Sequence, residues 1–233
     1  MHAIVLVPTY NEQANLREFV EKVRQCVPGL HILIIDDNSP DGTGETADEL
    51  AHQYRDEVFV LHRAKKEGLG SAYVDGFAWV LKKEYKYILQ MDADLSHDPG
   101  HLPAFFEKIR DYAFVVGSRY LNGISVVNWD LKRLMMSKLA NSYVRFITQI
   151  PFTDTTSGFL CWRREVLESI DFENAFSSGY VFLVEMKYKA YRKGFTWTEV
   201  PIIFVERKSG NSKLDWNVFR EALWGVLRLR LRN

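Results

Sequence analysis

Cysteine is scarce. The chain has two, Cys26 and Cys161, far apart in apolar surroundings, which rules out a disulfide-stapled scaffold and suggests buried thiols in a reducing compartment. Long apolar runs are missing as well. No stretch approaches the length of a bilayer-spanning helix, and the N-terminus enters a strand without a basic segment and long apolar run, so neither a membrane span nor a signal peptide is expected. An excess of one charge is also absent: 30 basic and 30 acidic residues cancel, which argues against a general nucleic-acid binder. There is no Walker-type glycine loop, no strict GxGxxG and no GxSxG elbow, so nucleotide binding must rest on other features and a serine hydrolase is excluded. His62, His97 and His101 are too scattered for a zinc site, and neither cysteine sits near them. Internal repeats, low-complexity tracts and linkers are absent too.

What is present is 233 residues, 47% of them apolar and 26% charged, enough to bury a substantial core in one large domain or a domain with a small appendage. The first half alternates buried strands with amphipathic helices. Ala3–Val7, Ile32–Ile35, Val58–Leu61, Tyr85–Leu89 and Phe114–Gly117 read as strands. Helices are expected from Glu12 to Cys26 with Asn11 as cap, from the Asp36–Gly44 loop to Tyr54, over Ser71–Lys82, and from Pro99 to Arg110. That order predicts a parallel sheet with helices on both faces, whose ligands bind beyond the carboxyl ends of the strands. Pro8–Glu12, Asp36–Gly44, Asp92–Ser96 and Ser118–Arg119 all fall at that edge. Further on, Leu131–Thr148 reads as an amphipathic helix and Asp154–Gly158 as a polar turn before the strand Phe159–Trp162. Ser178–Lys193 and Asn217–Leu231 read as helices, Thr196–Val205 as a strand, and Arg207–Lys213 as a basic loop.

The stretch Gln90–Pro99, QMDADLSHDP, carries the chemistry. Asp92 and Asp94, two apart in extended backbone, leave one face of a strand end and repel unless a cation lies between them. Asp98 is accounted for as the cap of a helix opened by Pro99. A turn cap does not account for Asp92 and Asp94, which point to a divalent-metal and phosphate site. Asp36-Asp37 after Ile34-Ile35 serves either as a turn or as an acceptor for a ribose or base edge. Adjacent Ser96, His97 and Asp98 cannot face one another as a catalytic triad. Arg119, Arg133, Arg207 and Lys213 are the cations suited to phosphate oxygens. Between Arg119 and Ile150 five basic residues stand against Asp130 alone, and from Arg220 onward four arginines stand against Glu221. With Trp129 and the Met135-Met136 pair, that excess suits a membrane interface, although a core-facing helix gives the same pattern.

Taken in order, VPTYNE, DDNSPDGTG, EGLGSAYVDG, MDADLSHDP, GSRY and EVPIIFVERKSGNSKL resemble the dolichol-phosphate (polyprenol-phosphate) mannosyltransferases over nearly the whole chain. The resemblance implies a GT-A (Rossmann-like) α/β fold with a mostly parallel sheet and amphipathic interface helices in the C-terminal half. It implies a single catalytic domain over 1–233, with a nucleotide-sugar half (1–118) and an acceptor and membrane-facing half (119–233). The activity implied is inverting, metal-dependent transfer of mannose from GDP-mannose to a polyprenyl (dolichyl) phosphate. Pro8, Tyr10, Glu12, Ile35 and Asp37 would surround guanine and ribose, and Asp92, Ala93 and Asp94 would line the diphosphate. Asp94 would hold Mg²⁺ or Mn²⁺ with Ser96, which stands where some relatives have Gln. Arg119, Arg133 and Ser137 would hold the lipid phosphate, and Arg207 and Lys213 would close over donor and acceptor. Leu160 departs from the Arg that relatives show after SGF. The ending LRLRLRN resembles the soluble catalytic-subunit type, expected in the cytoplasm, peripheral on the cytoplasmic face of a membrane, with a small membrane-anchoring subunit a partner for the Arg-rich tail. Two rivals are kept: a UDP-sugar (glucose-type) transferase using the same lipid, and a non-catalytic nucleotide-sugar binding module.

Overall fold

Strand β1 (Ala3–Thr9) is an apolar run whose successive side chains fill opposite sides of a sheet. Ala3, Val5 and Val7 enter one core, and Ile4 and Leu6 enter the other. The computed structural model describes residues 2–175, 179–206 and 216–232. In it β2 (His31–Asp36), β3 (Val58–His62) and β4 (Tyr87–Gln90) join β1 in parallel, with Val7 opposite Ile34 and Leu6 opposite Gln90. Both faces are covered, which is why these strands read as continuous apolar runs. On one side α1 (Gln13–Cys26) contributes Leu16, Phe19, Val20 and Val23, and α2 (Thr43–Gln53) contributes Ala47 and Leu50. On the other, α3 (Leu69–Leu81) presses Tyr73 and Phe77 onto the sheet. A Cβ at Gly76 would lie 2.6 Å from Ile35 Cδ1, so α3 owes its close approach to that glycine.

The Pro99–Arg110 helix starts in two steps, a 3-10 turn at Pro99–His101 and then α4 (Leu102–Lys108). Pro103 lacks the N–H that a continuous α-helix would need there. Asp98 caps the turn by accepting from Gly100 N at 2.9 Å, as its position suggests. Next come β5 (Phe114–Ser118), the short β6 (Val126–Val127) and α5 (Leu131–Thr148), whose cap Asp130 accepts from Arg133 N at 2.7 Å. Strand β7 (Leu160–Arg163) leads into α6 (Arg164–Ser169). Then follow α7 (Tyr180–Arg192), β8 (Trp197–Pro201), β9 (Phe204–Val205) and α8 (Trp216–Arg232).

The sheet order is β3-β2-β1-β4-β7-β5-β8. Strand β7 runs antiparallel between β4 and β5, while β5 and β8 pair in parallel. The mostly parallel sheet expected from the sequence is what forms, with one antiparallel strand inserted between β4 and β5. The expected strand over 196–205 breaks in two. Pro201 cannot donate to a ladder, and beyond it the chain leaves the main sheet to pair β9 with β6. Two smaller expectations change as well. Asn11 does not cap α1: it takes φ +60°, and the first-turn N–H groups of Glu12 and Gln13 go to Thr43 Oγ1 (2.9 Å) and Asp41 (3.3 Å) of the next loop. Cys26 is exposed, because α1 ends there and Val27 takes the buried position; Cys161 is buried.

Candidate active site

Because β1, β2, β3, β4 and β5 point the same way, their last residues share one edge of the sheet. The inserted β7 brings a further loop there, since its first residue Leu160 pairs with Gln90, the last of β4. Residues 153–159 thus lie between the end of β4 and the end of β5. That placement rests on β7 running backwards, and no motif in the sequence announces it.

At the β1 and β2 ends the backbone is tightly tied. Asp37 N donates to Thr9 O at 3.0 Å, and Pro8 stands opposite Ile35. Asp36 is a turn residue, accepting from Ser39 N (3.1 Å), Ser39 Oγ (2.6 Å) and Thr9 Oγ1 (3.3 Å). The Ile35 side chain faces the core, as its contact with Gly76 requires. Tyr10 carries the Lys66 ammonium 3.6 Å from its ring centre. Glu12 precedes α1 and accepts from Asn15 Nδ2 at 2.9 Å. Asp37 is buried against Arg63, whose guanidinium also meets Asp75 at 2.7 Å and Glu67 at 3.1 Å. Burial pulls the Arg63 pKa down, but the Asp75 hydrogen bond and the Asp37 charge outweigh it and the net shift is upward. Sequence reasoning missed Arg63 as the buried cation beside Asp37; within HRAKKEG nothing marks it.

The acid loop follows β4. Asp92 and Asp94 are half-buried, Ala93 is buried, and Asp94 Oδ1 accepts from Ser96 N at 3.0 Å. Ser96 Oγ is buried without a hydrogen-bond partner among the described residues. An orphaned hydroxyl beside a partly exposed carboxylate is a hard, all-oxygen donor set, which fits Mg²⁺ or Mn²⁺ and not a thiolate-loving ion. Among the described residues no three His, Cys, Asp or Glu side chains cluster as a self-sufficient metal cage. His97, buried, accepts from Asp92 N through Nδ1 at 3.1 Å and stacks on Phe159 at 5.1 Å.

The other wall is basic and aromatic. Arg119 is closed on Asp154, with Nε and Nη2 donating at 2.6 and 2.7 Å and its backbone N at 3.1 Å. Both groups are buried. Burial works against each charge, but Asp154 raises Arg119 and Arg119 lowers Asp154 below the ordinary carboxylate value. The fork expected to meet a phosphate is thus committed to a carboxylate. Its Cζ lies 5.4 Å from the ring centres of Tyr120 and Trp129 and 5.5 Å from Phe204. Arg133 stacks on Trp129 at 4.5 Å and pairs with Glu206, and Ser137 Oγ meets Tyr120 OH at 2.7 Å. The structure therefore gathers Arg119, Arg133 and Ser137 around Tyr120 and Trp129. Phe204 joins this wall to the acid loop, since His97 meets its ring at 5.7 Å. Arg207 and Lys213 lie outside the described residues.

Acids at the end of a central strand, polar loops beside them and a basic aromatic wall lie along one edge of the sheet, and the fold is that of the GT-A glycosyltransferases. Structures of glucosyl-3-phosphoglycerate synthase from Mycobacterium tuberculosis share this architecture. One, in complex with Mn²⁺, UDP and phosphoglyceric acid, gives a TM-score of 0.73 at 17% identity, covering 98% of this chain and 78% of that one. Another, with Mg²⁺ and UDP, gives 0.70 at 16% identity, over 97% and 78%. At these identities the likeness concerns the fold. The family model described as "Glycosyl transferase family 2" matches residues 4–171, and this chain belongs to that family. Among its relatives is the polyprenol monophosphomannose synthase of Mycolicibacterium smegmatis, 44% identical over 98% of this chain and 87% of the relative. The undecaprenyl-phosphate mannosyltransferase of Micrococcus luteus is 41% identical over 98% and 93%.

Proposed function

We propose that this glycosyltransferase moves mannose from GDP-mannose to a polyprenyl (dolichyl) phosphate, with inversion, working peripherally at the cytoplasmic face of a membrane. The observation that carries the reading is whole-length likeness to two enzymes named for polyprenol-phosphate and undecaprenyl-phosphate mannose transfer. In this reading residues 1–118 receive the nucleotide sugar and residues 119–233 the acceptor. Pro8, Tyr10, Glu12, Ile35 and Asp37 bound the nucleoside pocket, and Asp92, Ala93 and Asp94 its diphosphate side. Asp94 and Ser96 would hold Mg²⁺ or Mn²⁺, which when bound would supply positive charge against the departing nucleoside diphosphate.

The acceptor phosphate is ionised near neutral pH and attacks the anomeric carbon without a strong general base, so the protein contributes positioning and neutralisation. Arg133 and Ser137 orient the phosphate on the aromatic wall, Arg119 holds that wall together through Asp154, and Arg207 and Lys213 add positive charge toward both substrates. The exposed apolar stripe of α5, Leu131, Met135 and Leu139, with Lys132, Lys138 and Arg145 around it, suits a lipid surface carrying the acceptor.

The test is transfer of labelled sugar to a short polyprenyl phosphate, with GDP-mannose and UDP-glucose side by side. Transfer is expected from GDP-mannose, and Asp94→Ala should lower it by about 100-fold or more. Transfer from UDP-glucose alone would replace the donor, and an Asp94→Ala variant as active as the parent would refute the site.

A further inference from the structure

We propose that Lys187 is a positioning residue for the transfer step, its interior ammonium fixing the loop 153–158 between the acid loop and the Arg119 wall. The inference rests on the transferase reading above. Lys187 lies on α7, wholly buried, and its Nζ donates to the carbonyl of Ser157 at 2.6 Å. An interior ammonium is costly, and this one makes a single hydrogen bond among the described residues, where a methionine would fill the same space without the penalty. Packing therefore does not explain it.

What the ammonium holds does explain it. One residue beyond Ser157, a Cβ at Gly158 would stand 3.6 Å from His97 Cε1 and 4.0 Å from Asp92 Oδ1, so this step of backbone runs alongside the acid loop. Three residues before Ser157, Asp154 grips Arg119. One cation thus anchors a loop that touches the donor side at one end and the acceptor side at the other. Asp154 from the loop, Glu199 on β8 and Arg119 after β5 are the charged groups that act on it. Glu199 is itself tied to that loop, accepting from Thr153 N at 3.0 Å and Asp154 N at 3.2 Å, while on α7 Glu185 is taken up by Lys189 at 2.9 Å. Burial pulls the Lys187 pKa down to about 7; Asp154 opposes that fall, Arg119 adds to it and Glu199 opposes it. The anchor therefore loses its charge as pH rises through about 7.

The test compares parent, Lys187→Met and Lys187→Arg by kcat and donor KM at pH values on either side of 7. In the parent, kcat falls as pH rises through about 7. In Lys187→Met, kcat is lower by about 10-fold to 100-fold at every pH and that limb is gone, while donor KM stays within about threefold. Lys187→Arg keeps its charge, so its kcat holds where the parent's declines. A Lys187→Met variant with the parent's kcat and pH profile overturns the inference. So does one whose loss of kcat merely tracks its folded fraction in near-UV circular dichroism. Should that variant fail to fold, Lys187→Arg decides alone: retention of the parent's limb overturns the inference. An inactive parent sinks the transferase reading itself, whereas an active parent indifferent to Lys187 sinks this inference only.

Discussion

Arg119 and Asp154 form a buried ion pair in which each partner depends on the other. Taking both charges out of water costs several kcal/mol per ion, and the pair survives because the fork geometry satisfies both partners. Removing one partner leaves a buried charge uncompensated. Asp154→Ala should therefore destabilise the protein by about 3–5 kcal/mol in urea unfolding, and the double variant Arg119→Met/Asp154→Leu by clearly less. Equal losses in the two would mean that the pair is not acting as a unit. The sign with pH follows from the depressed Asp154 value. Its contribution is complete above the ordinary carboxylate value of 3.8 and is lost as pH falls below it, through the folded-state value. At this scale the sequence was partly legible. Asp92 and Asp94 stood out because two acids directly follow a buried strand. Arg63, Asp154 and Lys187 did not, because a lone charge in a sequence carries no mark of whether it will be buried.

At the scale of elements, strands that are β-branched and bounded by Gly, Pro or Asp loops were readable, as β1, β2 and β4 show. The direction of β7 was not: LCWR is apolar whichever way it runs, and its place between β4 and β5 is settled by long-range pairing. The two-residue partners β6 and β9 and the six-residue α6 are too short for any period to appear. Helix α5 was readable to the residue, yet sequence left open which way its apolar face turns. Leu131, Leu139 and Phe146 are 70%, 64% and 75% exposed, so that stripe faces outward and not into the core. No helix among the described residues is long and apolar enough to cross a membrane, and the proposed function gives this outward apolar face a lipid surface to meet. Replacing Leu139 and Phe146 by Ser should weaken co-sedimentation with anionic vesicles about tenfold per side chain, at about 1.5 kcal/mol each. Donor binding should be unchanged; vesicle binding that survives the double replacement would remove α5 from the membrane interface.

For the whole molecule, one sheet carries both substrate regions. The loops proposed for the nucleoside hang from β1 and β2, and the acid loop from β4. The Arg119 wall hangs from β5, and loop 153–159 is wedged among them by β7. A ligand bound across those strand ends is held by backbone that exists only when the sheet is assembled, so its binding energy adds to the stability of the entire fold. GDP at about 100 times its dissociation constant should add about 2.7 kcal/mol, which for a chain of this length raises Tm by roughly 5–10 °C. With Asp92 and Asp94 proposed for the diphosphate side, that rise should require Mg²⁺ or Mn²⁺ and should disappear when a chelator replaces the metal. UDP, lacking the guanine, should produce a smaller shift under the same conditions. A UDP shift equal to or larger than that of GDP would favour a UDP-sugar donor. A GDP shift indifferent to the chelator would leave Asp94 and Ser96 without a metal to hold, and the stabilisation would then have to come from the nucleoside pocket around Tyr10 and Asp37 alone.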